Sequence, residues 1–148
     1  MNMEYLIGEV AKKFHLTISQ IRYYDKEGLL PEIKRVSVIR KFSEQDIETI
    51  FLIECLKKSG LQLKEIKQFI EWTKQGDSTI ETRFLFFKNQ ENKILKQMEE
   101  LNKTLKMVQY KCWYYQKAKE LGSIAKLEQE KSKVTPKEIQ ILFDKAHY

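Results

Sequence analysis

Stepping 4, 3, 4, 3 along the chain from Ile80 meets Ile80, Phe84, Phe87, Glu91, Ile94, Met98, Leu101, Leu105, Val108, Cys112, Tyr115 and Lys119. Nine of these twelve positions are plainly apolar, and neither Pro nor Gly interrupts the run before Gly122. A period of 3.5 held over about five heptads predicts a coiled-coil helix. At 1.5 Å per residue that helix is about 60 Å long. A chain of 148 residues cannot cover such a seam unless the rest of it folds back along the helix. The rest carries apolar stripes of its own, enough for a separate core. A second copy is therefore expected to supply the facing surface, giving a homodimer. Its interface would be Ile80, Phe84, Phe87, Ile94, Met98, Leu101, Leu105, Val108, Cys112 and Tyr115. The alternative is a long internal helix packed against its own N-terminal part.

The segment before the seam reads as a string of short elements. Ile7, Val10, Ala11 and Phe14 fall on one face of a short helix. Leu16-Thr17 is a turn, and Thr17 or Ser19 can cap a second helix whose inward stripe is Ile18, Ile21 and Tyr24. Gly28 stops that helix as a left-handed residue would. Two short helices across a tight turn, with Ser19, Gln20, Arg22 and Tyr23 exposed on the second, describe a helix-turn-helix. Between Glu32 and Phe42, the β-branched Ile33, Val36, Val38 and Ile39, among Lys34, Arg35, Arg40 and Lys41, predict a β-hairpin wing with basic residues on its outer side. Ser43 and Asp46 form a capping pair that opens a third helix. Its inner stripe is expected to be Ile47, Ile50, Phe51 and Cys55. A fourth helix follows over Leu63–Gln75, with Ile66, Phe69 and Ile70 inward. Gly76-Asp77-Ser78 breaks the chain before the seam. Near the C-terminus, Thr135-Pro136 predicts a helix start with Thr at the N-cap and Pro as the first residue.

Charge bounds the partners. The net charge is +6, which favours an anionic partner. Residues 1–41 hold eight basic against five acidic side chains, and residues 80–121 nine against five. A basic coiled coil is as readily a solvated surface, so charge alone does not locate a binding face. No leader pattern or membrane-spanning run is expected, and Cys55 and Cys112 do not suggest a disulfide framework, so the expected setting is the cytoplasm. No Ser/His/Asp set, phosphate loop or metal cluster is present in the pattern. The chain is expected to be no enzyme, with no cofactor and no metal site.

Leu6-Ile7-Gly8-Glu9-Val10-Ala11, Ile21-Arg22-Tyr23-Tyr24-Asp25 and Gly28-Leu29-Leu30-Pro31 together resemble the N-terminal signature of the MerR transcription regulators. Ile39-Arg40-Lys41-Phe42-Ser43-Glu44-Gln45-Asp46 and Lys58-Ser59-Gly60-Leu61-Gln62-Leu63-Lys64-Glu65-Ile66 are similar to that family's wing end and its turn into the fourth helix. The chain departs from the pattern at Val36-Ser37-Val38, where the family wing tip usually carries Gly. The resemblance implies a mainly α fold. A winged helix-turn-helix head with a small β-hairpin wing (residues 1–77) precedes a long antiparallel coiled-coil dimerisation helix (78–122). A C-terminal tail with a short helix (123–148) completes it. It implies a homodimer on double-stranded promoter DNA that bends and untwists the duplex so that RNA polymerase can engage it. The deformation costs on the order of several kcal/mol.

DNA contact needs cations and hydroxyls for phosphates and planar donors for base edges. The expected set is Thr17, Ser19, Gln20, Arg22 and Tyr23 on the second helix and Lys34, Arg35 and Arg40 on the wing. Two readings of the signal stay open. Cys55 resembles the reactive residue of the family's single-cysteine branch, which answers aldehydes and other electrophiles; Lys57 and Lys58 beside it would favour the thiolate. Alternatively, Phe84, Phe86, Phe87, Trp113, Tyr114 and Tyr115 wall a pocket for an apolar small molecule. A third reading, outside regulation, is a coiled-coil scaffold that happens to carry such a head.

Overall fold

The computed structural model describes residues 3–30, 34–36 and 39–148, and of residues 34–36 the backbone only. The chain falls into two compact units, residues 1–90 and 91–148.

The first unit begins with strand β1 (Glu4–Tyr5), helix α1 (Ile7–Phe14) and helix α2 (Ile18–Lys26). Strands β2 (Lys34–Val36) and β3 (Ile39–Ser43), then helices α3 (Glu44–Lys58) and α4 (Leu63–Lys74), follow. A 3-10 turn over Gly76–Thr79 leads into α5 (Ile80–Leu121). The expected architecture, a mainly α chain with a winged helix-turn-helix head and one very long helix, is the one observed. Strand β1 was not anticipated, since two residues carry no alternation. It pairs antiparallel with β3 through Glu4–Ser43 and Tyr5–Phe42, so β3 lies between β1 and β2. Glu32, Ile33, Ser37 and Val38, expected in the wing, lie outside the described residues.

The helix starts follow the sequence chemistry. The Thr17 hydroxyl accepts from Gln20 N–H at 3.1 Å, and the Gln20 amide oxygen accepts from Thr17 N–H at 2.8 Å. Ser43 and Asp46 repeat the arrangement at α3, each backbone N–H bonded to the other's side chain at 2.8 and 3.1 Å. A cap of this kind stabilises its helix by about 1 kcal/mol. The tight turn between α1 and α2 passes through His15 at φ 54°, a left-handed non-glycine position, and is tied by Leu16 N–H to the Ala11 carbonyl at 2.9 Å. Gly28 sits at φ 77°, as its place after α2 requires.

The core of this unit gathers Val10, Ile21, Tyr24, Leu29, Phe42, Ile50, Ile53 and Ile66, all at most 2 % exposed. The inward face of α3 is Asp46, Ile50, Ile53 and Leu56. That corrects the expected stripe: Ile47 is half-buried, Phe51 is 61 % exposed, and Cys55 is exposed. Apolar residues occur almost all round α3, so its periodicity does not single out one face.

The first turns of α5 belong to this unit. Phe86 stacks on Phe69 at 5.4 Å and meets Trp72 edge-on at 5.8 Å. The buried Thr79 hydroxyl lies 2.6 Å from the Trp72 carbonyl, and Arg83 donates to Thr79 Oγ1 and to the Gly76 carbonyl at 3.1 and 2.9 Å. These contacts tie the start of α5 to the end of α4 and to the turn between them, adding to the Gln75 N–H bond at the Trp72 carbonyl. The Gln90 amide, buried, donates to Ser59 Oγ at 2.7 Å and fastens α5 to the end of α3.

The second unit is the rest of α5 with α6 (Ile124–Val134) and α7 (Lys137–His147). Tyr110, Tyr114 and Ala118 from α5 bury against Leu127 from α6, with Trp113, Leu142 and Phe143 packed around them. Helix α6 was missed in the sequence because its stretch is polar and buries one residue, Leu127. The cap signal was nevertheless present: Ser123 Oγ accepts from Lys126 N–H at 3.4 Å. Thr135 does not cap α7 as expected. Its hydroxyl donates to the Lys131 carbonyl at 2.5 Å and closes α6, while Pro136 precedes the first turn of α7.

Candidate nucleic-acid interface

Helix α2 presents two faces of different chemistry. Ile21 and Tyr24 face the core, whereas Ser19, Gln20, Arg22 and Tyr23 are exposed, Tyr23 by 48 %. Thr17 is also exposed, but its hydroxyl and the Gln20 amide oxygen are committed to the cap. The Gln20 amide N–H groups, the Ser19 hydroxyl, the Tyr23 phenol and the Arg22 guanidinium are the donors this face offers.

The wing supplies a second element beside it. Lys34 and Arg35 sit on β2, paired in register with Lys41 and Arg40 of β3. Their side chains lie outside the described residues. Arg40 is half-buried, and its guanidinium contacts Asp25 of α2 at 2.6 Å. It therefore braces the wing against α2, a role its basic context did not suggest. Leu6 and Glu9 of the α1 entry, Arg22 of α2 and Arg40 of β3 line one shallow groove. The Glu9 carboxylate there accepts from Leu6 N–H at 2.7 Å, and among the described residues Arg22 and Arg40 bring guanidinium groups to the groove.

Tyr24, expected on the inward stripe, is core: it is 2 % exposed. Its hydroxyl donates to Glu54 Oε1 at 2.5 Å and accepts from Lys57 Nζ at 2.7 Å. Burial, and then the bond to the Glu54 carboxylate, push the phenol above its ordinary pKa. The bond to Tyr24 holds the Lys57 ammonium above its own. Lys57, expected to favour a Cys55 thiolate, is thus turned to Tyr24 and Glu54. These partners stand 30 and 33 residues apart in sequence, so no local spacing reveals them. The available signal was chemical: a tyrosine in an apolar stripe needs a partner for its hydroxyl.

Cys55 is an exposed free thiol on the outward face of α3. Cys112 is exposed on α5 in the other unit. The seam residues Ile80, Phe84, Met98, Leu101, Leu105, Val108 and Tyr115 are each at least half exposed on the single chain, Phe87 is 38 % exposed, and Ile94 is half-buried. Among the described residues no group of three or more His, Cys, Asp or Glu side chains could hold a metal ion. No helix among them is long and apolar enough to cross a membrane.

Comparison with known proteins gives this geometry its context. The family model for the MerR HTH family regulatory protein matches residues 5–71. A Haemophilus influenzae protein described as an uncharacterized HTH-type transcriptional regulator is 42 % identical over 123 residues, spanning 82 % of this chain and 91 % of its own. The HTH-type transcriptional regulator AdhR of Bacillus subtilis is 40 % identical over 78 residues, 52 % of this chain and 56 % of AdhR. The crystal structure of HiNmlR, described as a MerR family regulator lacking the sensor domain and bound to promoter DNA, superposes with a TM-score of 0.76 at 42 % identity. It covers 83 % of this chain and 98 % of HiNmlR. With its signature on a capped α2, a wing braced to it and a long helix following in sequence, this chain belongs to the MerR family of DNA-binding transcriptional regulators.

Proposed function

We propose that this regulator binds promoter DNA as a homodimer and alters the path of the duplex in response to a thiol-reactive electrophile such as an aldehyde. The proposed contacts are those of the exposed α2 face (Thr17, Ser19, Gln20, Arg22, Tyr23) with the wing cations Lys34, Arg35 and Arg40. Arg22 reads a base edge, and the wing holds phosphates. Arg40 does so while paired with Asp25, so its share is smaller than its charge suggests. HiNmlR bound to promoter DNA supports this placement. RNA polymerase at the promoter, in the cytoplasm, is the partner that reads the altered duplex.

The stripe on α5 supports the dimer. Leu101 is 70 % and Met98 61 % exposed on one chain, and an apolar row of this length calls for cover. An antiparallel second copy supplies it.

One observation carries the signal: Cys55 is exposed on the helix whose neighbouring residues Glu54 and Lys57 hold α2. The thiol is reachable, and a group added there lies one residue from Glu54 and two from Lys57, the side chains that hold α2. HiNmlR, described as lacking the sensor domain, matches nearly full-length, which supports a response housed in the head and long helix. The apolar-ligand reading finds less support. Phe86 and Phe87 pack on Phe69, and Tyr110, Trp113 and Tyr114 are filled against Leu127 and Phe143. Family membership displaces the scaffold reading.

Transcription from a cognate promoter with and without formaldehyde tests the signal. Cys55→Ser should stay bound yet lose induction, and Cys112→Ser should keep it. Wild-type induction by Cys55→Ser would overturn thiol sensing at this position.

A further inference from the structure

Asp46, Thr79 and Gln90 are buried polar side chains among the described residues. Asp46 caps its own helix, and Thr79 bonds the Trp72 carbonyl seven residues back. Gln90 instead reaches 31 residues back, from α5 to the end of α3. Its Nε2 donates to Ser59 Oγ at 2.7 Å and to the Ser59 carbonyl at 3.3 Å. A carbonyl can only accept, so the amide nitrogen is the atom turned to α3. Ser59 is the C-cap of α3. Its N–H donates to the Cys55 carbonyl at 3.1 Å, and its hydroxyl donates to the Leu56 carbonyl at 2.7 Å. Gln90 thus grips the residue that closes the turn beginning at Cys55.

Rings make a second joint between α5 and the head. Phe86 and Phe87 pack on Phe69 at 5.4 and 5.0 Å. Apolar packing is non-directional and admits more than one setting of a helix. A buried hydrogen bond does not, because a buried donor left without its acceptor is costly. The Gln90 amide therefore distinguishes settings of the head on α5 that the ring contacts treat alike.

We propose that the Gln90–Ser59 bond is a latch that holds the head in its uninduced setting on α5, and that a group added to Cys55 releases it. The latch rests on the proposed reading of Cys55 as the sensing thiol. Formaldehyde adds to that thiol by a bond between Sγ and the carbonyl carbon. The thiol proton passes to the oxygen, and the product is an S-hydroxymethyl group with nothing oxidised or reduced. The added group sits one turn before Ser59 and displaces the last turn of α3. Ser59 then withdraws from Gln90, and the joint moves to a second, discrete setting. Gln90 and Ser59 are positioning residues; they act through the two helices they join.

The test uses the full chain at a cognate promoter. Transcription is measured with and without formaldehyde, and affinity for the same promoter DNA beside it. Gln90→Leu replaces the amide by an apolar group of similar size. It should raise transcription without formaldehyde about fivefold, the population shift that one hydrogen bond supplies. Promoter affinity should stay within about twofold of the wild type. Ser59→Ala should act likewise, and the two together should do no more than either alone, since both remove the same bond. Ser59→Thr, which keeps the hydroxyl, should stay at the wild-type level. In a Cys55→Ser background Gln90→Leu should still raise transcription, because the latch acts after the thiol. The latch is overturned if Gln90→Leu and Ser59→Ala both keep wild-type uninduced transcription, or if their effects add. It is also overturned if transcription and affinity fall together, which marks general destabilisation. Cys55→Ser alone separates the two proposals. If it is induced as the wild type is, thiol sensing fails and takes the latch with it. If it loses induction while Gln90→Leu leaves transcription unchanged, the latch alone fails.

Discussion

A buried phenol has one proton to give and lone pairs to fill, and Tyr24 does both with opposite charges from α3. Its pH response follows from that. The Tyr24 phenol and the Lys57 ammonium are both raised above their ordinary values of 10.0 and 10.5. A raised folded-state pKa means that the folded chain holds the proton more tightly than the unfolded one. The stabilisation is thus fully present below the unfolded values and lost as pH rises through the folded ones. The gap in melting temperature between wild type and Tyr24→Phe should accordingly hold constant up to about pH 9 and narrow by about pH 11. A gap that widens at high pH would contradict the pairing of Tyr24 with Glu54 and Lys57. At this scale the sequence was partly legible. Residue types named Arg22 and Tyr23 as donors on an exposed face, and both are exposed. They did not tell that Arg40 would meet Asp25, or that Lys57 would leave Cys55 for Tyr24, because those pairings are made by tertiary approach rather than by spacing.

Elements were legible wherever pattern and cap agreed. Helix α2 has a Thr17–Gln20 box and a terminal glycine, and its limits fell close to where those signals lie; of its expected stripe Ile21 and Tyr24 are buried, while Ile18 is 39 % exposed. On α3 the cap was legible but the face was not. Ile47, Phe51 and Leu52 compete with Ile50 and Ile53, and the choice was settled by α2 and α4 packing against one side. Helix α6 shows the opposite case, a polar helix held by one buried side chain. Leu127→Ala should cost about 2–5 kcal/mol of local stability, the range for a large buried aliphatic group. The two tryptophans report separately, Trp72 in the first unit and Trp113 beside Leu127 in the second. In a Trp72→Phe background, Trp113 fluorescence should melt earlier once Leu127 is removed. An unmoved Trp113 transition would mean that α6 does not hold the end of α5. The same cluster contains Tyr114, whose hydroxyl bonds Glu128 and is pushed up to about 12 chiefly by that bond.

At the scale of the whole molecule, the seam along α5 is a long row of exposed apolar side chains among the described residues. Leu101 and Leu105 lie in its middle, at 70 % and 50 % exposure. Leu101→Asp with Leu105→Asp would place charges at the proposed joint, at a cost on the order of several kcal/mol. Sedimentation should then show a monomer, and a double variant that remains dimeric would refute this seam as the interface. The long helix was the most legible element because 42 residues of unbroken helix leave a period that no tertiary accident erases. The proposed cover, a second copy, is a property of two chains and cannot be spelled in one. The outward setting of Cys55 has an evolutionary consequence. The side chain at position 55 contributes nothing to the inner face of α3, while Glu54, Lys57 and Ser59 around it make the ties to α2 and α5. Under the proposed thiol sensing, exchanging that one side chain changes what the protein responds to without remaking the fold.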